Sequence, residues 1–142
     1  DVSFLMANLR VNLDTAIFDK LNIAAVTNEA LGGVFNLMAP ESTSAPFVVF
    51  QAMSKVDDYF SYTGRGGSAL YMIKAIDESR WPKTAADIDT QIDSAMQDAS
   101  LSITGHSLLM CRRESDFYLV EDLNGKIFQH IGGMYRIIAD ES

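Results

Sequence analysis

A chain of 142 residues can bury a single hydrophobic core without disulfides or metal. Its 48% hydrophobic and 21% charged residues are those of an ordinary globular domain, and no apolar run approaches the roughly 18 residues that span a bilayer, so no membrane partner is expected. A formal net charge of −8 repels a phosphate backbone and speaks against sequence-specific nucleic-acid binding.

The single cysteine, Cys111, excludes an intrachain disulfide and favours a reducing compartment or indifference to redox. The N-terminus lacks a basic region followed by an apolar core, so no signal peptide is expected, and Asp1 leaves room for residues upstream.

In chain order, Val2–Leu21 reads as a helix, with Leu5, Leu9, Leu13, Ala16, Ile17 and Leu21 on one face and Asn8, Arg10, Asn12, Asp14 and Asp19 opposite. Ile23–Leu31 is apolar enough for another helical turn or two before Gly32-Gly33 breaks it, and Val34–Met38 reads as a short strand. After Pro46, Phe47–Val56 alternates β-branched and aromatic residues and is apolar on both faces at first, as a central or interface strand would be. Ser68–Ile76 forms a second strand. The intervening Asp57–Gly67 predicts a protruding hairpin arm.

The strongest periodicity is Thr84–Ala99: Ile88, Ile92, Ala95, Met96 and Ala99 share one helical face, while Asp87, Asp89, Asp93 and Asp98 fall on the solvated side. Thr84 is the expected N-cap, with Asp87 completing a variant capping box. His106–Arg113 and Phe117–Leu123 read as two further strands. Asn124-Gly125 reads as a turn, and the following strand carries Gly132-Gly133 as an expected bulge or bend. These elements predict one α+β domain over residues 1–142. Its sheet is mainly antiparallel, with two main helices packed on one face and the β-hairpin arm protruding.

The motifs offer little chemistry. Gly64-Arg65-Gly66-Gly67 lacks the Lys-Ser/Thr of a phosphate loop and precedes a strand, so it reads as a hairpin tip. Asp87, Asp89, Asp93 and Asp98 resemble a calcium loop only superficially, because Ile92 stands where such a loop requires glycine. His106 and His130, with Glu114 or Asp116 in reach, would need to share a cleft to form an acid–base or metal site, and the spacing does not place them there. No nucleophile elbow is present and Cys111 reads as a small buried residue. No catalytic residue, metal site or cofactor is assigned. The residues singled out are those of an interface: Asp57, Asp58, Tyr59, Phe60, Tyr62 and Arg65 in the arm, rich in hot-spot types, and the basic pair Arg112-Arg113.

The order of several short motifs goes further. These are the opening helix, Gly32-Gly33-Val34-Phe35 leading to Ala39-Pro40, Ala45-Pro46-Phe47-Val48-Val49, the glycine-containing segment before the long helix, Leu101–Leu108, and Asn124–His130 followed by Tyr135-Arg136-Ile137. With that order, nearly end to end, the chain resembles the tail terminator (tail completion, or head-to-tail joining) family of long-tailed phages and related gene-transfer particles. The resemblance implies a virion structural protein at the neck, assembled in the host cytoplasm. It would form a homo-hexameric ring that caps the tail tube protein, stops its polymerisation and meets the head-side connector or stopper protein, with DNA passing through the lumen. The family has no catalytic residues to carry over. The long aromatic arm departs from its commonest pattern.

Two other classes compete. A stopper, tail tube subunit or minor tail protein would share a small α+β or β fold, and a tube subunit would stack into filaments rather than closed rings. A small-molecule-binding domain or enzyme would hold His106 or His130 in a deep pocket beside a perturbed acid.

Overall fold

The alternating runs assemble into a five-stranded mixed sheet in the computed structural model, which describes residues 9–58, 66–97 and 100–141. The elements are α1 (Leu9–Leu21), α2 (Ala24–Thr27), β1 (Val34–Asn36), β2 (Phe47–Asp58), β3 (Gly66–Glu78), α3 (Lys83–Met96), β4 (His106–Leu123) and β5 (Lys126–Glu141). The strands lie in the order β1-β2-β3-β5-β4. Only β1–β2 is parallel; the other three pairings are antiparallel.

Both long helices cover one face of the sheet. Leu9, Leu13, Ala16, Ile17 and Leu21 of α1, and Ala85, Ile88, Ile92 and Met96 of α3, are buried against Phe50, Tyr71, Ile73, Tyr135 and Ile137 of the strands. The core stripes of both helices are therefore largely the ones their periodicity predicts, with Ala85 added to α3 and Ala95 only partly buried. Residues 1–8, and with them Leu5, lie outside the described residues, as do Asp98 and Ala99.

Two tyrosines fasten the helices. Tyr71 of β3 and Tyr135 of β5 stand directly opposite each other in the sheet and neither is exposed. The Tyr71 hydroxyl donates to Asp14 of α1, and the Tyr135 hydroxyl donates to Asp93 of α3 at 3.0 Å. Burial, reinforced by the aspartate acceptors, raises both phenol pKa values far above their ordinary range. Asp14 and Asp93, expected to be solvated, thus hold the helices to the sheet.

Several boundaries differ from expectation. The third helix starts at Lys83 with Pro82 as its N-cap residue and no side-chain cap, because proline's fixed φ suits the helix entrance. Thr84 is inside the first turn, and Asp87 accepts from Lys83 Nζ at 2.8 Å instead of closing a capping box. The predicted helical stretch after Asn22 is the single turn α2, and β1 ends at Asn36, where Leu37 takes a positive φ of 71°.

The two strands expected over His106–Leu123 are one strand of 18 residues. Its pairing with β5 slips between Leu108 and Met110 and again between Arg113 and Ser115. Each slip moves one residue across to the other face, so Leu108, Cys111 and Arg113, then Asp116 and Tyr118, share the helix-side face. A bulge also stands in β2, between Ala52 and Ser54. None stands at Gly132-Gly133, whose pairing with β3 is unbroken. These glycines serve close approach instead: a Cβ on Gly132 would lie 2.0 Å from the Ile73 carbonyl oxygen, and one on Gly133 2.5 Å from Arg113 Nε. Asn124 and Gly125, with φ of 55° and 85°, form the tight turn between β4 and β5.

Candidate functional site

Of the expected arm, the described residues Asp57, Asp58, Gly66 and Gly67 continue β2 and β3 within the sheet, where Gly66 and Gly67 also pair with Asp140 and Ala139 of β5. Asp57 and Asp58 end β2. The candidate interface residues Tyr59, Phe60, Tyr62 and Arg65 lie outside the described residues.

Arg112 and Arg113 point to opposite faces of β4. Arg112 is exposed, whereas Arg113 turns beneath α3 with a side chain only 15% exposed. Its guanidinium donates to both Asp89 oxygens at 2.9 and 3.0 Å, to the Gly132 carbonyl at 2.7 Å, to Tyr135 Oη at 3.2 Å and to Asp116 at 2.9 Å. Burial acts to lower the Arg113 pKa, but the bonds and charge of Asp89 outweigh it and the value is raised. Here the arginine joins β4, β5 and α3. Asp89, expected on a solvated helix face, is its main partner. The missing side chain at Gly133 supplies the room, since a Cβ there would meet the Arg113 guanidinium.

What β4 leaves outward is its edge. It is the last strand of the sheet, and no strand pairs with its outer side among the described residues. Along it Leu109, Tyr118, Leu119, Val120 and Leu123 are exposed. At the other end of the sheet the three-residue β1 covers only Val48–Phe50 of β2. Such edges invite pairing with another chain.

The sheet face away from the helices is only partly covered. There the 37–43 segment overhangs a cleft of about 360 Å³ that includes Lys74, Glu121 and His130 among apolar walls. His130 Nε2 lies 3.1 Å from Glu121 Oε1, and burial lowers the imidazole pKa below its ordinary value, an effect Glu121 opposes and Lys74 assists. Burial also lowers the pKa of Lys74, whose ammonium stands over the Phe117 ring, 5.2 Å from its centre.

The histidines are not brought together. His106 begins β4 and its Nδ1 lies 3.2 Å from the Thr104 carbonyl, whereas His130 is opposite Leu119 near the far end. Neither Glu114 nor Asp116 meets them: Glu114 pairs with Arg136 and Asp116 with Arg113. Cys111 is buried and donates to the Met96 carbonyl. No group of three or more His, Cys, Asp or Glu able to hold a metal occurs among the described residues, and none of their helices is long and apolar enough to cross a membrane.

A sheet covered by helices on one face, with the outer side of β4 unpaired among the described residues, is an α+β fold. The sequence matches the family model of tail completion protein gp17 over residues 15–131, most of its length; the chain belongs to this family and is a structural protein of the phage tail. Among solved structures it is similar to a chain of the "Virion of native gene transfer agent (GTA) particle", with a TM-score of 0.74 and 15% identity over 94% of this chain and 98% of that one. A second solved chain is similar with a TM-score of 0.59 and 9% identity, over 94% of this chain and 95% of its own. No curated protein matches the sequence.

Proposed function

We propose that this protein is a tail terminator: copies close into a hexameric ring on the last ring of the tail tube, stop its polymerisation, and offer the opposite surface to the head-side connector. The observation that carries this reading is the outer edge of β4, 18 residues long and set with exposed apolar side chains. Left in water, that edge is an aggregation site; paired with a neighbouring copy it is an interface. The free edges on opposite sides of the sheet differ, as a head-to-tail ring requires, where one edge of a subunit meets a different edge of the next. The arm, with Asp57, Asp58, Tyr59, Phe60, Tyr62 and Arg65, and the exposed Arg112 are assigned to the same contacts. Arg113 would act there only through the position of Arg112 beside it.

A ring multiplies the subunit charge of −8, and an acidic lumen would let duplex DNA slide through with few phosphate contacts. The similarity to a chain of a gene-transfer-agent virion supports the particle context. Electron microscopy of the purified chain tests the reading: closed rings support it, whereas indefinite filaments mark a tube subunit. A basic lumen in the assembled ring would contradict the sliding role. Replacing Tyr59 and Tyr62 with alanine is expected to weaken assembly while leaving the monomer's unfolding midpoint unchanged; an equal loss of monomer stability would place them in the core.

A further inference from the structure

The cleft on the open face continues past Phe47 and Phe128 into a second hollow of about 550 Å³ at the end of the sheet remote from the arm. The first part is floored by Val49 and Ile76 and walled by Leu37 and Met38. The second brings Glu41 and Glu78 together against Lys126, with Asp77, 9% exposed and accepting from the Glu78 backbone N–H, buried beside them. Lys74 does little to offset them, since its ammonium is held over Phe117 and beside Glu121. The groove is therefore apolar at one end and acidic at the other.

A second observation comes from His130, which lines the groove and is 7% exposed. With its Nε2 proton directed to Glu121, its Nδ1 is a buried acceptor that has no hydrogen-bond partner among the described residues. Uncompensated carboxylates and an unpaired acceptor call for the same complement, which is N–H donors carrying positive charge.

We propose that this groove docks an extended peptide segment of a different tail protein, one that is apolar toward one end and carries lysine or arginine toward the other. Its apolar side chains would cover Val49, Ile76 and Phe128, and its cations would meet Glu41 and Glu78. A second copy of this chain fits worse, because it brings a net −8 to an acidic rim. That the partner is a tail protein rests on the terminator reading; the groove's preference for a basic, apolar strand does not.

The test is a titration of the full ¹⁵N-labelled chain with amidated hexapeptides of three leucines and three lysines in either order, and with their leucine–glutamate counterparts. A basic peptide is expected to give saturable shifts at the amides of Val49, Lys74, Ile76, Phe128 and His130, with its acidic counterpart about ten-fold weaker or more. Glu41→Gln combined with Glu78→Gln is expected to weaken the basic peptide about five-fold or more at an unchanged unfolding midpoint. Shifts scattered over the acidic surface, equal binding of basic and acidic peptides, or full affinity in the double variant overturns the proposal. A chain that closes into rings yet ignores the peptide loses the groove and keeps the terminator reading. One that binds the peptide but never forms rings does the reverse.

Discussion

Arg113 reads in the sequence as half of a basic pair at an interface, and one geometric fact moves it: glycine at 133 leaves a slot under α3 that its guanidinium fills. Arg113→Met would strand the Asp89 carboxylate and the Gly132 carbonyl in a largely dry site, and should cost about 2–4 kcal/mol in urea unfolding of the monomer. Arg113→Lys keeps the charge but loses the two-pronged contact with Asp89, and should cost less, about 1–2 kcal/mol. A loss under about 0.5 kcal/mol for both would mean that the network is ornamental. His130 gives a pH dependence of definite sign. Its folded-state pKa lies below the ordinary value of about 6.5, so its contribution is complete above that pH and is lost as pH falls toward the folded value. The groups facing it are Lys74 from β3 and Glu121 from β4, with Glu41 of the overhanging segment also lining the cleft. The unfolding temperature of the wild-type chain should therefore fall more steeply between pH 7.5 and 5 than that of His130→Gln; parallel curves would remove the histidine from the account. Neither the buried arginine nor the His130–Glu121 pair is legible in the sequence, because both depend on strand register.

At the level of elements, regular periodicity was readable and broken periodicity was not. The core stripes of α1 and α3 follow from spacing alone, as does the Asn124-Gly125 turn. β4 misleads because its two bulges each reset the alternation of inward and outward residues, and because the charges Glu114 and Asp116 imitate a turn while pairing with Arg136 and Arg113. The parallel pairing of β1 with β2 joins segments separated by an irregular stretch, so no local pattern announces it. Two glycines misread as a bulge make opposite demands on their neighbours. Gly132→Ala drives a methyl into the backbone of β3 and should cost about 3 kcal/mol or more, while Gly133→Ala presses only on the Arg113 side chain and should cost about 1–2 kcal/mol. Chemical denaturation of the two variants checks the order, and the reverse order would mean that Arg113 is the more rigid neighbour. The β4 edge supplies a third comparison. Leu119→Lys with Val120→Lys should lower self-association at least about ten-fold with monomer stability changed by under about 0.5 kcal/mol. Sedimentation that shows undiminished assembly would release this edge from the interface.

At the scale of the whole molecule, one sheet with helices on a single face leaves two unlike edges and a half-covered face, more surface than a solitary domain has use for. The fold class could be read from the order of the elements, and the family from the order of short motifs, whereas the partner surfaces depend on side chains from distant strands meeting in space. Membership of the tail completion family gives those surfaces a setting, and the proposed ring gives each of them a neighbour. The most direct test is the mass and symmetry of the native particle, by mass spectrometry and electron microscopy, for the purified chain and for the chain bound to tails. The account predicts a closed ring of identical subunits that sits at the end of the tail tube and does not lengthen. A chain that remains a monomer both in solution and on tails, or that stacks into open filaments, would contradict it.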